Sequence, residues 1–197
     1  MTTRSSSNRT QMIATAGLSI ALFAVLDYFK IRLPYNIAGG TISLSMTAIV
    51  LFALLYGPGW GMVVGALCGL IDFMLEPYAA APFQVVLDYP VAFACVGLAG
   101  VLAPVAWRLL RRGKRFAVAG VALTAALTGA LIRLIPHFLS GVIFFAANAP
   151  KGQNVYLYSL VYNLSYLVPA AVACGVILAL VAPIILPLLR GREASHA

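Results

Sequence analysis

The chain has 197 residues, 62% of them hydrophobic and only 9% charged, with a formal net charge of +8. Average soluble domains carry about 25% charged residues, so this chain cannot cover a core with a polar surface. Its mean hydropathy of +0.99 excludes a water-soluble domain and points to an all-α integral membrane protein, because helices satisfy their own backbone in lipid.

Six apolar segments follow in order. Residues 1–10, "MTTRSSSNRT", form a polar, basic lead, and the apolar run behind it is long enough to stay in the membrane rather than be removed as a signal peptide. The first span is expected over Gln11–Lys30 and a short second one over Thr41–Tyr56. The third is expected over Gly59–Glu76 and the fourth, as one helix, over Phe83–Leu110. The fifth is expected over Phe116–Ala147. The sixth is expected over Tyr156–Leu189, with Pro169, Pro183 and Pro187 kinking or ending it. The stretches "LPYNIAGG", "YGPGWG", "EPYAAAP", "RRGKR" and "ANAPKGQN" carry the turn chemistry between them. Residues 11–190 therefore read as one membrane domain, and 191–197 as a short tail. No internal repeat of the inverted kind is evident. The three cysteines, Cys68, Cys95 and Cys174, are far apart in apolar runs and read as small core residues, not as a metal site or a disulfide pair.

The basic residues fix an expected orientation. Arg4, Arg9, Arg108, Arg111, Arg112, Lys114, Arg115, Arg190 and Arg192 fall on one side, nine of the 13 Lys and Arg. The opposite loops hold Lys30, Arg32 and Lys151. By the positive-inside rule both termini are cytoplasmic, in a multi-pass protein of the cell membrane. The cluster needs no nucleic-acid partner to account for it.

Small residues recur at helical spacing. Gly61, Gly65 and Gly69 make a ridge suited to close packing inside the bundle. Ala14, Gly17 and Ala21 make a similar face on the first helix, which either packs internally or docks another membrane subunit.

Charges inside a bilayer cost about 2.5–3.5 kcal/mol each on insertion scales, so they mark sites. Asp88, Arg133 and His137 stand out. Asp88 falls near the outer end of the fourth span, with Pro90 expected to bend the helix so that the carboxylate points inward. His137 lies in the outer half of the fifth span, one turn from Arg133, and Gly141 and Phe145 continue that face. Tyr78, Tyr156, Tyr158, Tyr162 and Asn163 gather at the same end. Each tyrosine alone reads equally as an interfacial belt residue. Arg133 reads also as the partner of a buried carboxylate, and Asp72 and Glu76 as partners of it or as the wet end of the third span. Jointly, a carboxylate ringed by aromatic faces suits an organic cation, with His137 and Asn163 orienting a heteroaromatic ring. No nucleotide-binding motif occurs, no nucleophile or metal-ligand spacing suggests catalysis, and if a ligand is taken up at the expense of ATP, other subunits must supply that energy.

The ordered blocks "GGTISL", "YGPGWG", "PFQVVLDYPVAFACVGLAG", "FLSGVIFF", "NAPKG" and "YSLVYN" resemble the ThiT family, the thiamine-specific substrate-binding (S) components of energy-coupling-factor (ECF) transporters. The resemblance covers Ala38 to Pro169. It implies the six-helix S-component fold and a thiamine pocket near the extracellular surface. It also implies partnership with a transmembrane coupling subunit and two ATPases, with no cofactor of the chain's own. Carried over by motif, the pocket residues are Tyr78, Asp88, Tyr89, His137, Gly141, Phe145, Tyr158 and Asn163, and Ala14, Gly17 and Ala21 form the docking face. Asp88 stands where some members have Glu, Phe145 where some have Trp, and Gly39 or Gly40 where some have an aromatic. On this reading Asp88 compensates the cationic vitamin. The alternatives are an S component for a thiamine precursor or another vitamin, a stand-alone proton-coupled carrier using Asp88, Arg133 and His137 as a relay, and a membrane enzyme using Asp88 and His137 as acid and base.

Overall fold

The computed structural model describes residues 3–33 and 40–195, with side chains described at 9–33 and 40–189. Gly39 and its neighbours in loop 1–2, and the side chains of Arg4, Arg190 and Arg192, lie outside the described residues. Helix α1 (Thr3–Tyr28) leads into a two-stranded antiparallel hairpin, β1 (Ile31–Arg32) and β2 (Thr41–Ile42), in which Ile31 faces Ile42. Helices α2 (Met46–Tyr56) and α3 (Pro58–Leu75) are separated by Gly57 alone. Its φ of +87° makes the reversal, and Pro58 is pre-set for the first turn of α3.

The fourth span is not one regular helix. It runs as α4 (Pro82–Val86), a π turn (Leu87–Val91), α5 (Ala92–Gly97), a 3-10 stretch (Leu98–Leu102) and α6 (Ala103–Arg111). Pro90 has no N–H and its ring crowds the preceding turn. Widening the turn to π geometry absorbs both effects without exposing backbone to lipid. Helix α7 (Arg115–Phe144), a 3-10 turn (Ala146–Asn148) and α8 (Val155–Ser195) complete the chain. Pro169, Pro183 and Pro187 lie inside α8, which runs on through them rather than ending at any of them. In lipid a full break strands more backbone polar groups than a proline does.

Among the described residues, five helices are long and apolar enough to cross a membrane, and α2 is a shorter apolar helix. Large apolar side chains such as Ile13, Leu18, Leu131, Ile135, Leu180 and Ile184 face outward, as a lipid-embedded bundle requires. The glycine ridge of α3 packs internally. A Cβ on Gly61 would lie 2.7 Å from the carbonyl oxygen of Gly97, one on Gly65 2.2 Å from that of Phe93, and one on Gly69 2.4 Å from that of Tyr89. The fourth span thus lies backbone to backbone on α3. Around this seam the core is filled by Phe23, Phe52 and Phe93 and by the small residues Ala122, Ala125, Ala126 and Ala130 of α7; Phe23 meets Phe93 edge-on at 5.1 Å. Trp107 donates its indole N–H to the Leu54 carbonyl at 3.0 Å, closing the end of α2. All three cysteines are free thiols, Cys68 and Cys174 buried and Cys95 half-buried. Ala14, Gly17 and Ala21 are exposed along one face of α1.

Candidate functional site

The π turn aims Asp88 into the bundle. Its Oδ2 accepts from Gln84 Nε2 at 2.7 Å, one turn back, and from Ser140 Oγ of α7 at 2.8 Å. Its Oδ1 lies 3.1 Å from His137 Nδ1. His137 Nε2 accepts from Arg133 Nε–H at 3.0 Å. A neutral imidazole has one donor and one acceptor nitrogen. The arginine can only donate, so the proton stays on Nδ1 and is given to Asp88. Arg133 was expected to pair with a carboxylate. Its nearest polar partner is instead the imidazole, and its guanidinium carbon lies 3.9 Å from the centre of the Phe93 ring. A guanidinium so placed gains from the ring face while its charge reaches Asp88 through His137.

Asn163 on α8 is buried and fully occupied. Its Nδ2 donates to the carbonyls of Ser159 at 2.8 Å and His137 at 3.3 Å, and its Oδ1 accepts from Tyr166 Oη at 2.6 Å. It clamps α8 to α7 beside the imidazole. Gly141 makes the same approach possible, since a Cβ there would lie 2.2 Å from Ser159 Oγ. Tyr89 points the other way. Its Oη accepts from the Tyr78 N–H at 3.2 Å and lies 3.3 Å from the Glu76 carbonyl, fastening the segment that carries Tyr78. The Tyr78 and Phe145 rings are nearly parallel, 23° apart with centres at 6.0 Å. Tyr158 and Tyr162 stand tilted to one another at 5.9 Å.

These groups border a single cavity of about 520 Å³, within the range of small-molecule sites. All eight residues singled out from sequence line it: Tyr78, Asp88, Tyr89, His137, Gly141, Phe145, Tyr158 and Asn163. Tyr156 does not; it is exposed, beside Phe138. The cavity lies at the end of the bundle away from Arg108, Arg111, Arg112, Lys114 and Arg115. His137 is 22 residues along α7 from Arg115, about 33 Å at 1.5 Å per residue.

The sequence reading missed a second polar group. Lys30 lines the cavity, and its Nζ reaches Asp27 at 2.6 Å, Asp72 at 2.9 Å and Glu76 at 3.1 Å. Glu76 also pairs with Arg32 of the hairpin. Lys30 sits just past the first span. Burial works against its charge, but the neighbouring carboxylates of Asp72 and Asp27 outweigh it and hold its pKa above the ordinary lysine value. The signal for this cluster was Asp27, a charge three residues before Lys30 in an otherwise apolar run. Gln84, Ser140 and Ser159 carried no such signal, being short or uncharged polar residues in helices.

The family model described as Thiamine transporter protein (Thia_YuaJ) matches residues 13–189. The chain belongs to this family. Two curated members are similar to it. The thiamine transporter ThiT of Bacillus subtilis is 37% identical over 144 residues, which cover 72% of this chain and 74% of that protein. ThiT of Lacticaseibacillus paracasei is 29% identical over 152 residues, covering 74% and 76%. The solved structure of ThiT from Listeria monocytogenes superposes with a TM-score of 0.83 at 23% identity, covering 92% of this chain and 98% of that one. That likeness establishes the S-component fold. Thia_YuaJ proteins are transporters and not enzymes, so Asp88 and His137 are not an acid–base pair for catalysis.

Proposed function

We propose that this multi-pass membrane protein captures thiamine in the cavity at the end of the bundle away from the basic residues. It would do so at the extracellular face of the cell membrane, with both termini cytoplasmic. In this reading it is the substrate-binding subunit of an ECF transporter. A transmembrane coupling subunit and two ATPases supply the energy, and Ala14, Gly17 and Ala21 dock the coupling subunit. Tyr78, Phe145 and Tyr158 offer ring faces to the vitamin, and His137 and Asp88 present a fixed donor–acceptor pattern to its pyrimidine. Gly141, Asn163 and Tyr89 set the walls.

The observation that carries the reading is the Arg133–His137–Asp88 chain facing parallel aromatic rings across one cavity, in a chain of the thiamine transporter family. The test is a thiamine titration of the purified protein by intrinsic fluorescence. Tight binding that falls at least tenfold in both Asp88→Asn and His137→Ala supports the assignment, and full affinity in both variants rejects it. Competition with the isolated pyrimidine precursor decides between vitamin and precursor. The same charge chain also fits a proton relay of a carrier acting alone. Thiamine uptake into vesicles that lack coupling subunits and ATP would favour that second reading; uptake only with both favours the first.

A further inference from the structure

The cavity has two polar ends of different charge. At the Asp88 end one carboxylate and one guanidinium share a hydrogen-bonded chain through His137. Three protein donors already occupy the carboxylate oxygens. Its charge is balanced from within, and what it offers a guest is direction. At the Glu76 end three carboxylates, Asp27, Asp72 and Glu76, face two cations, Lys30 and Arg32. The Arg32 side chain is 73% exposed, so water and salt screen it, whereas the Lys30 side chain is 9% exposed. The negative surplus therefore lies with Asp72 and Glu76, both of which line the cavity. Glu76 is two residues from Tyr78, whose ring with that of Phe145 supplies the face that attracts a cation.

We propose that Glu76, backed by Asp72, is the counter-charge for the ligand's cationic ring, and that Asp88 is its hydrogen-bond anchor. This rests on the reading of the cavity as a thiamine site, and it moves charge compensation away from Asp88, where the sequence placed it. A guest with a hydrogen-bonding heteroaromatic ring at one end and a fixed positive charge at the other then binds in one orientation. Lys30 holds the two carboxylates in place, so Glu76 acts as a specificity determinant for charge and Lys30 as its positioning residue.

The experiment compares two probes on the purified full chain: thiamine, and its neutral isostere in which carbon replaces the quaternary ring nitrogen. In Glu76→Gln we expect thiamine binding to weaken at least tenfold while the isostere stays within twofold of the unmodified protein. Glu76→Asp, which keeps the charge, restores most of the preference. In Asp88→Asn both probes weaken by similar factors. Equal losses for both probes in Glu76→Gln, or a loss confined to thiamine in Asp88→Asn, would overturn the proposal. If Glu76→Gln does not fold, Asp72→Asn, at the carboxylate that backs it in the cavity wall, gives the second test. It should lower the preference for thiamine over the isostere, and an unchanged preference refutes the assignment. Absence of thiamine binding by the unmodified chain would instead overturn the ligand assignment beneath it.

Discussion

Gly141→Ala tests the seam between α7 and α8 on which the cavity depends. The new methyl carbon would lie 2.2 Å from Ser159 Oγ and 3.0 Å from Ser159 Cβ. Ser159 cannot turn aside freely, because its hydroxyl donates to the Phe138 carbonyl at 2.9 Å. Giving up that bond costs about 1 kcal/mol, and overpacking adds about 1–3 kcal/mol. The better helix propensity of Ala returns roughly 1 kcal/mol. The net loss is about 1–3 kcal/mol, which at 1.4 kcal/mol per decade is roughly a 5- to 140-fold weakening of anything that needs the seam intact. Because Gly141 and Ser159 both line the cavity, ligand affinity and the thermal midpoint should fall together. A double-mutant cycle isolates the cause. Ser159→Ala removes the oxygen at 2.2 Å and leaves the milder contact at 3.0 Å, so the pair Gly141→Ala/Ser159→Ala should recover about 1 kcal/mol relative to the sum of the singles. Thiamine titration and thermal unfolding in detergent read both quantities. Additivity within about 0.5 kcal/mol, or a neutral Gly141→Ala, would refute the reasoning.

Four further outcomes are expected. Gly97→Ala, whose Cβ would meet the Gly61 carbonyl carbon at 2.1 Å with only backbone to displace, should cost more than Gly141→Ala, checked by the yield of monodisperse protein and its unfolding midpoint. Gly17→Trp adds bulk where nothing lies within 4 Å; thiamine binding should be unchanged and ATP-driven uptake with coupling subunits should fall at least tenfold in a reconstituted assay. Trp107→Phe removes the N–H donated to Leu54 and should lower stability by about 1–2 kcal/mol in thermal unfolding, since the carbonyl is left without its partner. The Lys30 pKa is raised in the fold, so its contribution is fully present below the ordinary lysine pKa and is lost only as pH rises through the higher folded value. The difference in unfolding midpoint between the native chain and Lys30→Met should therefore hold steady from about pH 7 to 9 and shrink in stronger alkali.

The sequence made the Asp88 end of the cavity legible because its chemistry contrasts with its surroundings. A carboxylate, an imidazole and a guanidinium in apolar helices are costly in lipid, and i, i+4 spacing put Arg133, His137, Gly141 and Phe145 on one face. What that spacing did not settle was which neighbour Arg133 takes, since both a carboxylate and an imidazole lay within reach of its long side chain. Lys30 was legible as a charge but not as a cavity residue. On a positive-inside count it is one loop cation among several, and its three carboxylate partners come from α1 and from the far end of α3, separated by 42 residues or more in two cases. Pro90 predicted a bend; the structure has a π turn there that lies against Gly69 of α3, a contact that no local pattern encodes. In α8 the helix carries through its three prolines; of the two outcomes read from sequence, a kink or an end, the end is the one it rules out.

The glycine seam also governs how the molecule can deform. Where two main chains touch without side chains between them, there are no rotamers to exchange and no alternative interdigitation to slip into. Helix α3 and the fourth span thus behave as one stiff plate carrying Asp72, Glu76 and Asp88 at its edge. Any opening that lets a guest in or out must be made by parts hinged against this plate: the paired strands β1 and β2, and the α7–α8 pair. The three carboxylates of the site then keep their spacing while the aromatic walls move around them.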